Sequence, residues 1–214
     1  MIPIFVVMGW GFVTFLGGLA LGVFVGRAFR FRGNIGEALI ANAISDGFQR
    51  PHVLLNNVTL ENRLGTTQID HILVADTGIF VIETKHYSGW IFGHPDDPQW
   101  TQVIYTRKSR FQNPIRQNYG HVKALQAFLS QSANSFIPLV VFTGDATFKS
   151  VLGPTVLKLT ELTAQLSAPR PILFDQRTLA YLVGCIEMNR MRRSLETDEY
   201  HLNAVRRRVR SFKP

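Results

Sequence analysis

Cysteine is nearly absent from this 214-residue chain: Cys185 is the only one. An intrachain disulfide framework is therefore excluded, and the usage suits a reducing compartment. No Cys/His spacing fits a zinc site, and there is neither a phosphate-cradling Walker loop nor a glycine-rich dinucleotide loop. The Ser, His and Asp residues form no recognisable triad, and internal repeats and low-complexity tracts are missing. Acid is scarce relative to base, with 15 Asp and Glu against 23 Lys and Arg and a formal net charge of +8. Such a balance favours polyanionic partners, either nucleic acid or an anionic membrane surface.

Charge is missing altogether from Ile2 to Gly26, and Arg27, Arg30 and Arg32 follow at once. The stretch is long enough to cross a bilayer. No Lys or Arg precedes it, so the positive-inside rule places the rest of the chain in the cytoplasm. A cleaved signal peptide would need a basic start and a shorter apolar core. Residues 1–32 are thus read as a single-pass membrane anchor with a basic flank. Gly18, Gly22 and Gly26 repeat at every fourth position, a face through which two such helices could pair as a homodimer. Glycine is also simply common in membrane helices.

What the chain does contain is a pair of adjacent strand patterns with acids in register. Gln68 to Val74 alternates, with Ile69, His71 and Leu73 predicted on one face and Gln68, Asp70, Ile72 and Val74 on the other. Asp76-Thr77-Gly78 is a turn signal, and Ile79 to Lys85 is rich in β-branched and apolar residues. Glu83 and Lys85 are two apart and share a face. A turn centred on Asp76-Thr77 sets Asp70 opposite Glu83, and one centred on Thr77-Gly78 sets it opposite Lys85. Either way two carboxylates and a lysine converge. Two acids that close can share a divalent cation, and a lysine beside them can stabilise a phosphate or help activate water. A surface hairpin with one cross-strand salt bridge is the plainer alternative.

Around this pair the predicted order is helix, three strands, helix, strand. Asn34 caps a helix from about Ile35 to Asp46, His52 to Leu60 is a strand, Asn113-Pro114 starts a helix ending near Ser130, and Phe136 to Thr143 is a strand buried on both faces. Strand pieces at Gly89–Gly93 and Gln99–Arg107 are inserted, separated by a loop in which Asp96 and Asp97 read as turn residues. That order implies an α/β sandwich with a mixed central sheet. Residues 33–150 form this unit. Residues 151–214 are an extension with a strand near Thr155–Leu159, a helix over Asp175–Arg190 and a final amphipathic helix. Leu202, Val205, Val209 and Phe212 make the apolar stripe of that last helix, and Arg206, Arg207, Arg208, Arg210 and Lys213 its basic face, which suits nucleic acid, anionic lipid or plain solvation.

The segments Gly33-Asn34-Ile35-Gly36-Glu37, Gln68-Ile69-Asp70-His71, Gly78 to Lys85, Gly89-Trp90-Ile91, Trp100 and Asn113 to Asn118 occur in the order found in the nuclease-related domain (NERD) family of the PD-(D/E)XK nuclease superfamily. Over about residues 33–145 the chain resembles that family. The resemblance implies a restriction-endonuclease-like α-β-β-β-α-β core. It also implies a metal site in which Asp70, Glu83 and the carbonyl of Thr84 hold Mg2+ or Mn2+, with Glu37 ligating directly or through water. Lys85 would orient water or stabilise charge, and Gln117 would position water or phosphate. Where some relatives carry a tyrosine one helical turn after the glutamine, this chain has His121. The expected function is a membrane-anchored, metal-dependent nuclease acting on nucleic acid, DNA above all. The alternatives are a catalytically weak or inactive module of the same fold that binds nucleic acid or protein at the membrane, and a membrane scaffold acting through its basic helix.

Overall fold

The computed structural model describes residues 35–62, 65–192, 194, 196, 197 and 199–204. The expected transmembrane helix over residues 2–26, with Gly18, Gly22 and Gly26, lies outside the described residues, as do the Asn34 cap and Val205 to Lys213 of the final helix. Among the described residues no helix is long and apolar enough to cross a membrane.

Helix α1 spans residues 35–47. Strands β1 (His52–Asn62), β2 (Gly65–Ala75) and β3 (Gly78–Lys85) form an antiparallel meander. Helix α2 (Pro114–Gln126) then carries the chain across to β7 (Phe136–Phe142), which pairs parallel to β3, and β9 (Val156–Lys158) adds in parallel beyond it. The result is a mixed sheet in the order β1-β2-β3-β7-β9. The helix, three strands, helix and strand of the sequence reading are all present.

Apolar residues on both faces of this sheet hold the layers together. Ile40, Ile44 and Phe48 of the α1 region pack with Leu73, Phe80, Ile82, Leu139 and Val141. Helix α3 (Leu159–Ser167) joins that layer through Leu162 and Leu166. On the opposite face, Val122 and Leu125 of α2 and Leu179, Leu182 and Ile186 of α4 (Gln176–Asn189) pack with Ile69, Ile72, Val74, Ile79 and Val81. Each such side chain contributes roughly 1.5–3 kcal/mol by leaving water.

Three expectations need correction. Helix α2 ends at Gln126 rather than near Ser130, because residues 127–128 form a turn and the Phe128 and Leu129 N–H groups both return to the Leu125 carbonyl. The stretch Gln99–Arg107 is not one strand piece. β5 (Gln99–Ile104) turns at Tyr105, whose φ is 52°, into β6 (Arg107–Gln112). With β4 (Gly89–Phe92) and β8 (Ala146–Phe148) these build a second sheet in the order β6-β5-β4-β8.

The third correction concerns side-chain direction. Simple alternation separates Ile69 from Ile72 and Val74, yet all three enter one cluster, and so do Leu55 and Val58. The β1–β2 ladder passes from Asn56↔His71 to Val58↔Ile69 and skips the Asn57–Asp70 position. Asn57 adopts φ 53° there. A left-handed residue inside a strand reverses the pleat, and asparagine tolerates it better than most. The reversal falls at Asp70.

Candidate functional site

The turn is centred on Asp76-Thr77, with Ala75 paired to Gly78. Arg50 anchors it by two 2.8 Å hydrogen bonds to the Asp76 carboxylate. The resulting β2–β3 ladder runs up to His71↔Ile82. The next pair in that register would be Asp70 with Glu83, as the first of the two predicted turns required. Beyond this point β3 stays paired with β7 as far as Lys85↔Phe142 but leaves β2. Asp70 fills the opening. Its Oδ2 accepts the Thr84 backbone N–H at 2.8 Å.

Glu83 and Lys85 project from β3 toward α2. Glu83 is 2% exposed, and both of its oxygens are engaged. Lys85 Nζ donates to Oε1, and His121 Nε2 lies 3.0 Å from Oε2. Lys85 also donates to Gln117 Oε1 at 3.2 Å. On its other ring nitrogen, His121 lies 2.8 Å from Thr67 Oγ1. Helix α2 is pinned to the sheet by buried Asn118, which donates to the carbonyls of Val81 and Leu139. Its start is set by Asn113. That side chain accepts the Ile115 N–H and donates to the Pro95 and Asp97 carbonyls. Asp97 itself accepts the His94 N–H, the turn role expected of it.

Glu37 approaches from α1. Gly36 makes that possible, since a Cβ there would meet Thr143 Oγ1 at 2.8 Å, His86 Cβ at 3.0 Å and Thr84 Cγ2 at 3.1 Å. The Asn57 side chain lies near enough to Glu37 to favour its charged form. The backbone of Asn57 is held from the far end of the chain: Arg190 Nη2 reaches the carbonyls of Asn56 and Asn57 at 3.5 and 3.3 Å.

These groups feel one another. Burial raises the Asp70 pKa well above the ordinary carboxylate value, Glu83 adds to it, and Lys85 and the Thr84 N–H oppose. Glu37 is raised by burial and by Glu83, against the Asn57 side chain. Burial pushes Glu83 the same way, but Lys85 and His121 outweigh it and leave its pKa below the ordinary value. For Lys85 burial is likewise outweighed, by Glu83 and Asp70, and its pKa is raised. The site is thus a charged Glu83–Lys85 pair beside two carboxyls that resist ionisation.

Every site residue expected from the sequence lies in this region: Asp70, Glu83, Thr84, Lys85 and Gln117 through direct contacts, and Glu37 through Asn57 and its electrostatic effect on Asp70. Among the described residues, however, no group of three His, Cys, Asp or Glu side chains stands at metal-ligand spacing. The sequence reading missed His121, Asn57 and Arg190 as partners of the site. His121 had a signal in its position one turn after Gln117. The other two had none. His71, predicted on the strand face opposite Asp70, is packed: it is buried against Asn56, and burial lowers its pKa to about 4.

The model of the nuclease-related domain (NERD) matches residues 32–143, more than half of the chain. The chain is also 46% identical over 103 residues to an uncharacterized protein of Bacillus anthracis, a match covering 48% of this chain and 49% of the relative. It thus spans about half the length of that curated relative. No solved structure matches. With the acid-acid-lysine arrangement at the splayed end of β3 and the family match over the same segment, the chain belongs to the nuclease-related domain family.

Proposed function

We propose that this protein is a metal-dependent nuclease that hydrolyses phosphodiester bonds in nucleic acid, DNA above all, while tethered to the membrane by residues 2–26 with its folded part in the cytoplasm. One observation carries the reading: Asp70, Glu83 and Lys85 meet where β2 and β3 part, with Glu37 close enough to raise the Asp70 pKa.

The donor set suits a hard divalent cation. Carboxylate and carbonyl oxygens are what magnesium prefers, and carboxyls that repel one another are relieved by a cation between them. The only hydrogen bond of Asp70 among the described residues uses Oδ2, which leaves Oδ1 for a ligand. Asp70, Glu83 and the Thr84 carbonyl would hold Mg2+ or Mn2+, with Glu37 ligating directly or through water. When bound, the ion supplies charge neutralisation at the phosphate and a lower pKa for the attacking water. Lys85, held by Glu83 and Gln117, would stabilise developing negative charge. Gln117 fixes the lysine and can turn to water or phosphate. His121 holds the second Glu83 oxygen and so fixes the rotamer of that carboxylate. The basic balance of the chain favours backbone contacts that carry no sequence preference.

The test uses the full chain in mild detergent with labelled DNA and RNA, in Mg2+, in Mn2+ and in EDTA. Cleavage is expected only with a metal. Asp70→Asn and Glu83→Ala should abolish it, and Lys85→Ala should lower kcat by roughly 100-fold or more while manganese affinity is kept. Undiminished cleavage by Asp70→Asn would overturn the mechanism. A manganese affinity lost in Lys85→Ala as fully as in Glu83→Ala would overturn the role given to the lysine. A second reading, a binding module without turnover, is favoured by the engagement of both Glu83 oxygens by Lys85 and His121. It predicts nucleic-acid binding that is indifferent to metal.

A further inference from the structure

The second sheet has a face that the site does not use. Its strands pair so that Trp90, Val103 and Lys108 stand in one row across β4, β5 and β6, and Phe92, Thr101 and Arg110 in the next. Residues opposed across neighbouring strands share a face. The other face carries Ile91 and Trp100, both buried. This one looks outward, with Trp90 50% exposed and Phe92 37% exposed. The two aromatics lie two residues apart, roughly 7 Å along the strand. Cations surround them: Lys108 and Arg110 are exposed, and Lys149, just after β8, holds its Nζ 4.8 Å from the Trp90 ring centroid. No Asp or Glu occurs in β4, β5, β6 or β8. Of the acids in the flanking loops, Asp97 is turned into its own loop, exposed Asp96 lies beside His94, and Asp145 precedes β8.

The sheet is also the excursion of the chain between two site residues. β4 begins soon after Lys85, and β6 ends just before the helix that carries Gln117. Three of its four strands are thus joined at both ends to elements that carry site residues.

We infer that this face is a docking surface for single-stranded nucleic acid, with unpaired bases stacked on Trp90 and Phe92 and the phosphate backbone lying against Lys108, Arg110 and Lys149. The inference rests on the nuclease reading of the site and names the form in which substrate reaches it. Aromatic side chains accept any base by its π-face, but only where bases are unpaired, because a duplex hides those faces. A patch for duplex alone would need cations and no aromatics. A lipid surface could use both, yet a sheet joined in the chain to the elements of a nuclease site favours nucleic acid.

The test is binding of a fluorescent single-stranded oligonucleotide to the full chain in EDTA, so that nothing is cut, beside the matching duplex and phosphatidylserine-containing vesicles. Trp90→Ala and Phe92→Ala should each weaken single-strand binding roughly tenfold, and Trp90→Phe should restore most of the loss. Lys108→Ala with Arg110→Ala should flatten the dependence of log affinity on log salt by roughly 0.7 for each phosphate contact removed. Unchanged single-strand affinity in the aromatic variants, or a loss confined to duplex or vesicles, would overturn the surface. Single strands bound through Trp90 by a protein that never cuts with metal would leave the surface standing and remove the nuclease reading. Cleavage with unchanged KM in both aromatic variants would do the reverse.

Discussion

Glu83 keeps its charge in a buried position because two nitrogens share its carboxylate, and that charge is what Asp70 and Glu37 must face. The consequences for pH have opposite signs. A carboxyl held below its ordinary pKa, as Glu83 is, stabilises the fold above the ordinary carboxylate range, and the contribution is lost as pH falls through the lowered value. Asp70 and Glu37 are raised, so the fold favours their protonated forms. Their contribution is present below the ordinary value and is lost as pH rises toward the raised one, after which the site carries mutual repulsion. A divalent cation relieves that repulsion. The gain in Tm on adding Mn2+ should therefore grow as pH rises above the ordinary carboxylate range, and Asp70→Asn should remove most of it. Thermal unfolding followed through that rise checks it, and a gain that is flat with pH would contradict the proposed cation. Asp70, Glu83 and Lys85 were legible in the sequence because strand spacing alone brings them together. Asn57 and Arg190 act through contacts that join distant segments, which no local pattern reports, whereas the helical spacing of His121 from Gln117 was a signal left unused.

Helix α1 owes its seat to Gly36. Alanine would favour an isolated helix by about 1 kcal/mol. Here its Cβ would press on Thr143, His86 and Thr84 at once, and the Thr143 hydroxyl already lies 3.1 Å from His86 Nδ1. The first turn of α1 must then shift by a few tenths of an ångström, and Glu37 moves with it. Gly36→Ala should leave Tm almost unchanged, because propensity and crowding offset each other, and lower kcat/KM about tenfold. A large fall in Tm with normal kinetics in the folded fraction would show that Gly36 serves packing alone. The meander, α2 and α4 were legible because their apolar periodicity and caps are local, as with Asp175, which accepts the Thr178 N–H at the start of α4. β6 was not. As an edge strand reading Arg107-Lys108-Ser109-Arg110 it has no buried alternation to betray it. Helix α3 follows β9 at once, without a loop to mark its beginning. The pleat reversal at Asn57 escaped because asparagine inside a strand is also compatible with ordinary extended backbone.

At the scale of the molecule, the uncharged stretch from Ile2 to Gly26 predicts an integral membrane protein. The full chain should stay with the membrane through high salt and alkali, whereas adhesion by a basic helix alone would be screened away. A reporter active only in the cytoplasm, fused after Pro214, should be active. An exported, silent reporter would reverse the topology and separate the site from cytoplasmic nucleic acid. The folded part has boundaries of its own, which differ from those of the family match. Residues 32–143 contain every expected site residue but omit β9, α3 and α4. Without those elements β7 would present a bare edge, and both apolar layers would lose one wall, Leu162 and Leu166 on one side and Leu179, Leu182 and Ile186 on the other. Arg190 would no longer hold Asn57. In recombination, then, the match is not the unit of inheritance: a gene fusion that moved only residues 32–143 of this chain to a new partner would move the acids without the floor beneath them.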